Sequence, residues 1–312
     1  MLSVVIPAYN EEALIEKTAS TLEDILSSKQ IDYELLFVDD GSSDGTWNRI
    51  VDYSKKSEKV AGISFSKNFG KESAIFAGLR ESKGDCVVVI DCDLQHPPEK
   101  ILEMYDLWQE GYEIVEGIKR SRGRESGMYS FAARSFYKMI SNATGTDMSH
   151  ASDFKLLDRK AVNVLINMPE KNAFFRALSS WVGFKSVQIE YDVRERQAGQ
   201  TKWTKRSLAK YAIANITSFS SAPMHLVTVL GVVLFVFALI MTIITVCQKV
   251  AGVAMEGFTT VIIMLAFTSS IIMISLGIIG YYISRIFEEL KGRPNYIIAE
   301  RAGHITVDKK EP

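Results

Sequence analysis

The sequence predicts an α/β protein: a Rossmann-like, mostly parallel sheet domain, followed by an interfacial helix and a two-helix transmembrane hairpin. Three observations carry this. Short β-branched runs alternate with amphipathic stretches over the first 120 residues, the pattern of a parallel sheet with right-handed crossovers. Polar clusters follow the first, second and fourth of those runs directly, where open α/β sheets bind ligands. Two long stretches carry no Asp, Glu, Lys or Arg: Tyr211–Gln248, 38 residues, and Gly257–Ser284, 28 residues. A bilayer core needs roughly 20 apolar residues per helix, so each is long enough to span.

Along the chain, Val4–Pro7, Leu35–Val38, Val60–Ser64, Val87–Ile90 and Glu113–Glu116 read as strands. Residues 11–28, 44–58, 70–82 and 97–110 read as helices, and Leu14, Thr18, Leu22, Ile25 and Leu26 mark the helical period in the first. Residues 119–134 hold Lys119, Arg120, Arg122, Arg124 and Arg134 among Gly and Ser, which reads as a loop running into a helix. A further strand is expected at 185–194. Over 203–222, Trp203, Leu208, Tyr211, Ile213 and Phe219 mix with Lys205, Arg206 and Lys210, as in a helix lying on a membrane surface. Pro223 ends it, and spanning helices are expected at about 224–247 and 258–284. The division is therefore a head over 1–202, the interfacial helix, the hairpin over 223–284, and a tail over 285–312. Within that tail Ile297-Ile298 fit either a strand or an interfacial segment.

Charge sets the surroundings. Residues 1–210 hold 29 Lys and Arg against 31 Asp and Glu, so the head is not the basic surface that nucleic acid requires. Basic residues crowd the two ends of the hairpin: Lys202, Lys205, Arg206 and Lys210 before it, Arg285, Lys291 and Arg293 after it. The connecting loop has only Lys249. The positive-inside rule then places both termini in the cytoplasm and the head at the cytoplasmic face of a multi-pass membrane protein. The opening Met1–Pro7 reads as a strand and not as a signal peptide. Cys86, Cys92 and Cys247, odd in number and without metal-type spacing, argue against a disulfide framework and for a reducing compartment.

Several polar groups could carry chemistry, and each has a plainer explanation beside it. Asp91-Cys92-Asp93 directly follows a strand, and two carboxylates at i and i+2 can share one hard divalent cation, Mg2+ or Mn2+; a polar strand cap accounts for the same pattern. Asp39-Asp40-Gly41-Ser42-Ser43-Asp44-Gly45 is a turn leading into a helix. Capping explains Asp44, while the paired acids could also bond a base or ribose. Arg194–Trp203 is basic and lies just before the membrane, suited to anionic headgroups or to phosphate. Asp153 is a candidate general base or an ordinary turn residue. His96 fits a turn role, and His225 lies near the interface.

Taken together these residues resemble a family. Val5-Ile6-Pro7-Ala8-Tyr9-Asn10-Glu11-Glu12, Val38–Thr46 and Asp91-Cys92-Asp93-Leu94-Gln95-His96-Pro97-Pro98-Glu99, in that order, resemble the family 2 glycosyltransferases of the glycosyltransferase-A fold. Ser152–Asp158, Arg196-x-x-Gly199-x-Thr201-Lys202-Trp203 and the hairpin narrow the likeness. It points to the polyprenyl-phosphate glycosyltransferases, the group of dolichol-phosphate mannose synthases and bactoprenol glucosyltransferases. The resemblance implies that Pro7, Ala8, Tyr9, Glu11 and Asp39 or Asp40 hold the nucleotide, with Lys119 and Arg120 near the donor phosphates. It implies that Asp91, Asp93 and Gln95 hold the metal, and that Arg196 and Lys202 meet phosphates at the active site. Cys92 stands where the family often has alanine.

The expected reaction is inverting transfer of one hexose from a nucleotide diphosphate sugar to a polyprenyl phosphate, undecaprenyl phosphate by preference. UDP-glucose is the first choice of donor, with UDP-N-acetylglucosamine and GDP-mannose as alternatives. A phosphate monoester has a second pKa of about 6, so the acceptor is already largely dianionic at pH 7. Asp153 is then expected to position or tune the acceptor site, and Asp93, Arg196 and Lys202 to act on the reacting phosphates. A hairpin is too small for a polysaccharide channel, and the Gln-x-x-Arg-Trp signature of processive synthases is missing from Gln200–Trp203. A silent nucleotide-sugar-binding scaffold and a flippase partner are the readings from other classes; a homotetramer is compatible with the resemblance.

Overall fold

The computed structural model describes residues 1–120, 152–168, 174–193, 222–251 and 257–304. The chain divides into two compact units, residues 1–209 with 294–312, and residues 210–293. The first is built on one eight-stranded sheet. Its strands are β1 (Leu2–Ala8), β2 (Tyr33–Asp39), β3 (Val60–Phe65), β4 (Cys86–Val89), β5 (Ile114–Lys119), β6 (Lys155–Asp158), β7 (Ser186–Tyr191) and β8 (Ile298–Ala302), in the spatial order β7-β5-β6-β4-β1-β2-β3-β8. The pairs β1–β2, β1–β4, β2–β3 and β5–β7 are parallel; β6 and β8 run antiparallel to their neighbours. The sheet is thus mostly parallel, as expected, with β1 at its centre and six of its seven residues buried.

Helices α1 (Ile15–Ser28), α2 (Thr46–Lys56), α3 (Lys71–Glu81) and α4 (Lys100–Gln109) connect the first five strands. Ile15, Thr18, Ala19, Leu22 and Leu26 form the buried stripe of α1, each large apolar side chain contributing about 2 kcal/mol by leaving water. This helix begins four residues later than its periodicity predicts. The reason is local: Asn10 N–H donates to Ser42 Oγ at 2.8 Å and Glu11 N–H to Thr46 Oγ1 at 2.9 Å, and Asn10 has a φ of 53°. The amides that would open the helix are held by the next turn instead.

Beyond β5 the structure adds elements that periodicity did not reveal: β6, α5 (Arg159–Ile166) and α6 (Phe175–Trp181). Strand β6 is disguised by a lysine at its start. Lys155 is fully buried, and its Nζ lies 3.0 Å from Glu116 Oε1, 2.8 Å from Ser179 Oγ and 3.2 Å from Ser180 Oγ. Glu116 is its register partner on β5. An ion pair with hydroxyl partners is what allows a charge inside the sheet.

The second unit contains α7 (Ala222–Val250) and α8 (Phe258–Leu290). Val227–Gln248, of mean hydropathy 3.0, and Phe267–Phe287, of 1.6, are long and apolar enough to cross a membrane, and neither is buried against protein. A core helix of a soluble protein would be covered. Helix α8 runs past the charge-free stretch to Leu290 because nothing from Arg285 to Lys291 breaks it; Gly292, at φ 62°, and Pro294 follow. The segment expected as a tail is therefore divided: its first residues finish α8, while Ile298–Ala302 form β8 on the edge of the sheet. The interfacial helix expected over 203–222 lies almost wholly outside the described residues, as does most of the loop 119–134.

Candidate active site

Strand order reverses at β1. The chain moves from β1 outward to β2 and β3, then returns to place β4 on the other side. At such a switch point the carboxyl ends of the central strands splay and leave a crevice. The β1–β4 register ends at Val5 and Val89, before Pro7, which has no amide hydrogen to pair. Pro7, Ala8, Tyr9 and Glu11 follow from β1, Asp39 and Asp40 from β2, and Asp91, Asp93 and Gln95 from β4, so the fold gathers these predicted residues along one end of the sheet.

The turns after β1 and β2 interlock. Besides the two amide bonds that delay α1, Ser43 N–H donates to Asn10 Oδ1 at 2.8 Å and Gly45 N–H to Glu12 Oε2 at 3.2 Å. Asp39, 1% exposed, takes Ser42 N–H at 3.1 Å and the Ser64 hydroxyl at 2.7 Å. Asp40, 4% exposed, takes the amides of Phe69 at 2.7 Å and Gly70 at 2.9 Å. Burial raises Asp40 to about 6 despite those amides. Gly41 has a φ of 65°, and a Cβ there would collide with the Lys67–Asn68 backbone, so glycine is required on both counts. The loop Ser66–Gly70 is backed in turn by the segment leading into β8. Ser66 N–H donates to the Ile297 carbonyl at 3.0 Å, and Phe65 stacks on Tyr296 with centroids 5.0 Å apart.

After β4, Asp91 meets a lysine that it shares with Asp153, which precedes β6. Lys71, the first residue of α3, places Nζ 2.6 Å from Asp91 Oδ1 and 2.8 Å from Asp153 Oδ2. Arg176 on α6 grips Asp153 with both arms, Nε to Oδ1 at 2.7 Å and Nη2 to Oδ2 at 2.8 Å. Asp153 is 4% exposed. Burial alone would raise it, but Arg176 and Lys71 outweigh burial and hold it well below the ordinary carboxylate range. A carboxylate so stabilised accepts a proton poorly at neutral pH; it is built to hold two cations. The neighbouring Glu72 accepts the Phe175 amide at 2.9 Å, and burial with the charge of Asp153 lifts it to about 7. His96 stacks on Phe154 at 5.1 Å and meets Tyr191 edge-on at 5.5 Å. Its Nδ1 is buried and has no hydrogen-bond partner among the described residues.

Asp91, Asp93 and Gln95 offer oxygen donors, the chemistry a hard divalent ion prefers. Cys92 turns its side chain into the core, and its carbonyl accepts the Thr18 hydroxyl at 2.7 Å, which fixes the strand end between Asp91 and Asp93. Asp93 Oδ1 takes the Gln95 amide at 3.1 Å around Leu94, whose φ is 54°. Among the described residues no three His, Cys, Asp or Glu side chains converge to hold a metal alone. A site with one or two carboxylates is what Mg2+ uses when substrate phosphates and water complete its shell.

The remaining predicted residues divide: Lys119 falls at the same end of the sheet, since β5 runs parallel to β4 on the far side of the antiparallel β6, while Arg120 turns outward. Lys119 ends β5, opposite Tyr191. Arg120 is 62% exposed and pairs with Glu190 at 3.1 Å and Asp192 at 3.4 Å, on the β7 side. Arg196 and Lys202 lie outside the described residues. Sequence reasoning missed Lys71 and Arg176. Lys71 had a signal, since Asn68-Phe69-Gly70-Lys71-Glu72 is a polar cluster at the carboxyl end of a strand. Arg176 had none, because it enters from a short helix 23 positions beyond its partner.

The comparisons with known proteins agree with this architecture. The profile of "Glycosyl transferase family 2" matches residues 3–166. An uncharacterized glycosyltransferase of Synechocystis is 37% identical over 97% of this chain and 96% of its own. The prophage bactoprenol glucosyl transferase homolog of Escherichia coli is 35% identical over 95% of this chain and 98% of its own. The crystal structure of M. tuberculosis glucosyl-3-phosphoglycerate synthase, 22% identical, superposes with a TM-score of 0.50 over 70% of this chain and 80% of that one, which shows a common fold. The matched family supports a glycosyltransferase activity for the sheet unit. This chain belongs to glycosyl transferase family 2, with full-length relatives that include the bactoprenol glucosyl transferases.

Proposed function

We propose that this glycosyltransferase moves one hexose, with glucose from UDP-glucose as the first choice, onto a polyprenyl phosphate at the cytoplasmic face of a membrane. One observation carries the reading: a cluster of carboxylates at the strand ends, two of them sharing Lys71, belongs to a chain that also bears two apolar helices of membrane length. The bactoprenol named in the relatives is a polyprenol, and those relatives match this chain nearly end to end. Strand β8 supports a hairpin. It follows the second apolar helix in the chain and pairs with β3, which precedes the first, so the chain leaves the sheet before the helix pair and rejoins it afterwards. The excess of basic residues at those ends supports the cytoplasmic side. A head over 1–202, an interfacial helix over 203–222 and a hairpin over 223–284 complete the proposed organisation, with β8 returned to the head. A flippase and further copies of the chain are compatible partners.

In this mechanism Pro7, Ala8, Tyr9, Glu11 and the paired Asp39 and Asp40 frame the nucleotide. Asp39 and Asp40 act through the loops they hold, since their oxygens already accept amides and a hydroxyl. Asp91, Asp93 and Gln95 would hold Mg2+ or Mn2+, which supplies neutralisation of the charge that develops on the leaving diphosphate. Lys119 and Arg120 serve the donor phosphates, and Arg196 and Lys202 orient the acceptor phosphate for in-line attack. Asp153 fixes Lys71 and Arg176 and removes no proton, because the acceptor reaches the site as a dianion.

The test is lipid extraction. Membranes containing the full chain receive undecaprenyl phosphate with labelled UDP-glucose, UDP-N-acetylglucosamine or GDP-mannose, each with and without EDTA. Label entering the organic phase from UDP-glucose alone, and lost with EDTA, is expected. Label from another sugar corrects the donor, and none from any donor by well-folded protein favours a silent scaffold.

A further inference from the structure

Lys71 is where two parts of the site share one charge. Its ammonium touches Asp91 from β4 and Asp153 from the segment before β6, at 2.6 and 2.8 Å. The two acids are not equally dependent on it. Asp153 keeps the bidentate Arg176 when Lys71 is removed, whereas Lys71 is the cation paired with Asp91 among the described residues. The lysine is also held in place. Gly70 N–H is bonded to Asp40, Glu72 accepts the Phe175 amide, and the loop before it rests on Tyr296 through Phe65 and Phe69. The backbone on both sides of Lys71 is therefore pinned, and its reach toward Asp91 does not depend on substrate.

We propose that Lys71 is the built-in counter-cation of the metal position, which occupies Asp91 until a nucleoside diphosphate arrives. This rests on the reading of Asp91 and Asp93 as metal ligands. A divalent ion entering alone must take a carboxylate from an ammonium and then sit beside that positive charge, so it binds weakly. A diphosphate brings negative oxygens of its own, which complete the ion's shell and offset Lys71. Metal and donor then bind as a unit, and Asp153 keeps the displaced ammonium from swinging away. In this role Lys71 is a positioning residue whose effect reaches the reaction through Asp91.

The experiment titrates Mn2+ alone, and then Mn2+ with UDP, into the full chain in detergent, read by the EPR signal of the free ion. Lys71→Met is expected to tighten binding of Mn2+ alone about tenfold, a change of about 1.4 kcal/mol, with a smaller change when UDP is present. Lys71→Arg, which keeps the charge, should stay near wild type. Asp153→Asn frees Lys71 to pair wholly with Asp91 and should weaken Mn2+ alone. A folding defect would lower affinity in both variants, so the opposite signs are the signature. Unchanged or weaker Mn2+ binding in Lys71→Met, with binding abolished by Asp93→Asn, overturns this inference and leaves the metal site standing. Mn2+ binding that Asp93→Asn does not alter overturns the metal site itself.

Discussion

Replacing Asp153 with Asn removes one charge from a site where three short bonds converge. Its oxygens meet Arg176 at 2.7 and 2.8 Å and Lys71 at 2.8 Å, and it is 4% exposed. Breaking a fully buried pair costs about 3–5 kcal/mol. Here Arg176 and Lys71 keep 28% and 38% of their side-chain surface, and the amide retains one acceptor oxygen, so about 2 kcal/mol of stability is expected to go. Catalysis should fall about ten- to thirtyfold, the effect of a misplaced cation pair at 1.36 kcal/mol per factor of ten. The assay is transfer of labelled glucose into extractable lipid from pH 5 to 8. An acid limb near pH 6, set by the acceptor phosphate, should survive in the variant. Activity as low as that of Asp93→Asn, or disappearance of that limb, would show that Asp153 is an obligatory base. The stability difference has its own pH signature. Because the folded carboxyl is held below its ordinary value, its stabilisation is present above about pH 4 and is lost as pH falls further. The gap in melting temperature between variant and wild type should therefore narrow on acidification below that point.

Other perturbations probe the scaffold. Asp40 is lifted by burial from 3.8 to about 6, so its contribution is present below pH 3.8 and is lost as pH rises to 6, a difference of roughly 3 kcal/mol. Asp40→Asn should therefore gain in melting temperature relative to wild type between pH 4 and 7; a constant difference across that range would count against this. Lys155→Met strands Glu116 inside the sheet and should cost about 3 kcal/mol, with Lys155→Met/Glu116→Gln recovering part of it in chemical unfolding. Removing the ring in Tyr296→Ala unseats Phe65 and the loop that bonds Asp40. UDP binding by calorimetry should weaken several-fold while helix content stays unchanged, and undiminished binding would release β8 from any part in the donor site. A periplasmic reporter inserted between 252 and 256 should be active and one after 304 inactive; the reverse pattern would invert the proposed orientation.

Local pattern reached far in this chain. β-branched runs separated by amphipathic stretches marked β1 to β5 and their helices to within a few residues, because each is a local choice between a period of two and a period of 3.6. The rule that ligands gather at strand ends drew attention to Pro7–Glu11, Asp39–Asp40 and Asp91–Gln95, and the fold sets them along one end of the sheet. Charge-free length alone marked the two apolar helices. What pattern could not show was any element whose logic is supplied by a distant neighbour. Strand β6 opens with a buried lysine that is tolerable only because Glu116 and two serines meet it. Strand β8 was ambiguous because pairing to β3, more than 230 positions earlier in the chain, is what makes it a strand.

The site divides along the same line. Which residues carry charge at which strand end was fixed by the chain itself, since each motif is contiguous and follows its own strand. Which charges face one another was decided only by the tertiary structure. Asp91, Lys71, Asp153 and Arg176 come from four separate segments, and they meet because β6 inserts antiparallel beside β4 and brings Asp153 to the end where Asp91 emerges. A carboxylate's proton affinity depends on the charges within a few ångströms of it. The sequence could therefore name Asp153 as a candidate, but only the fold could show that it is an anchor for two cations.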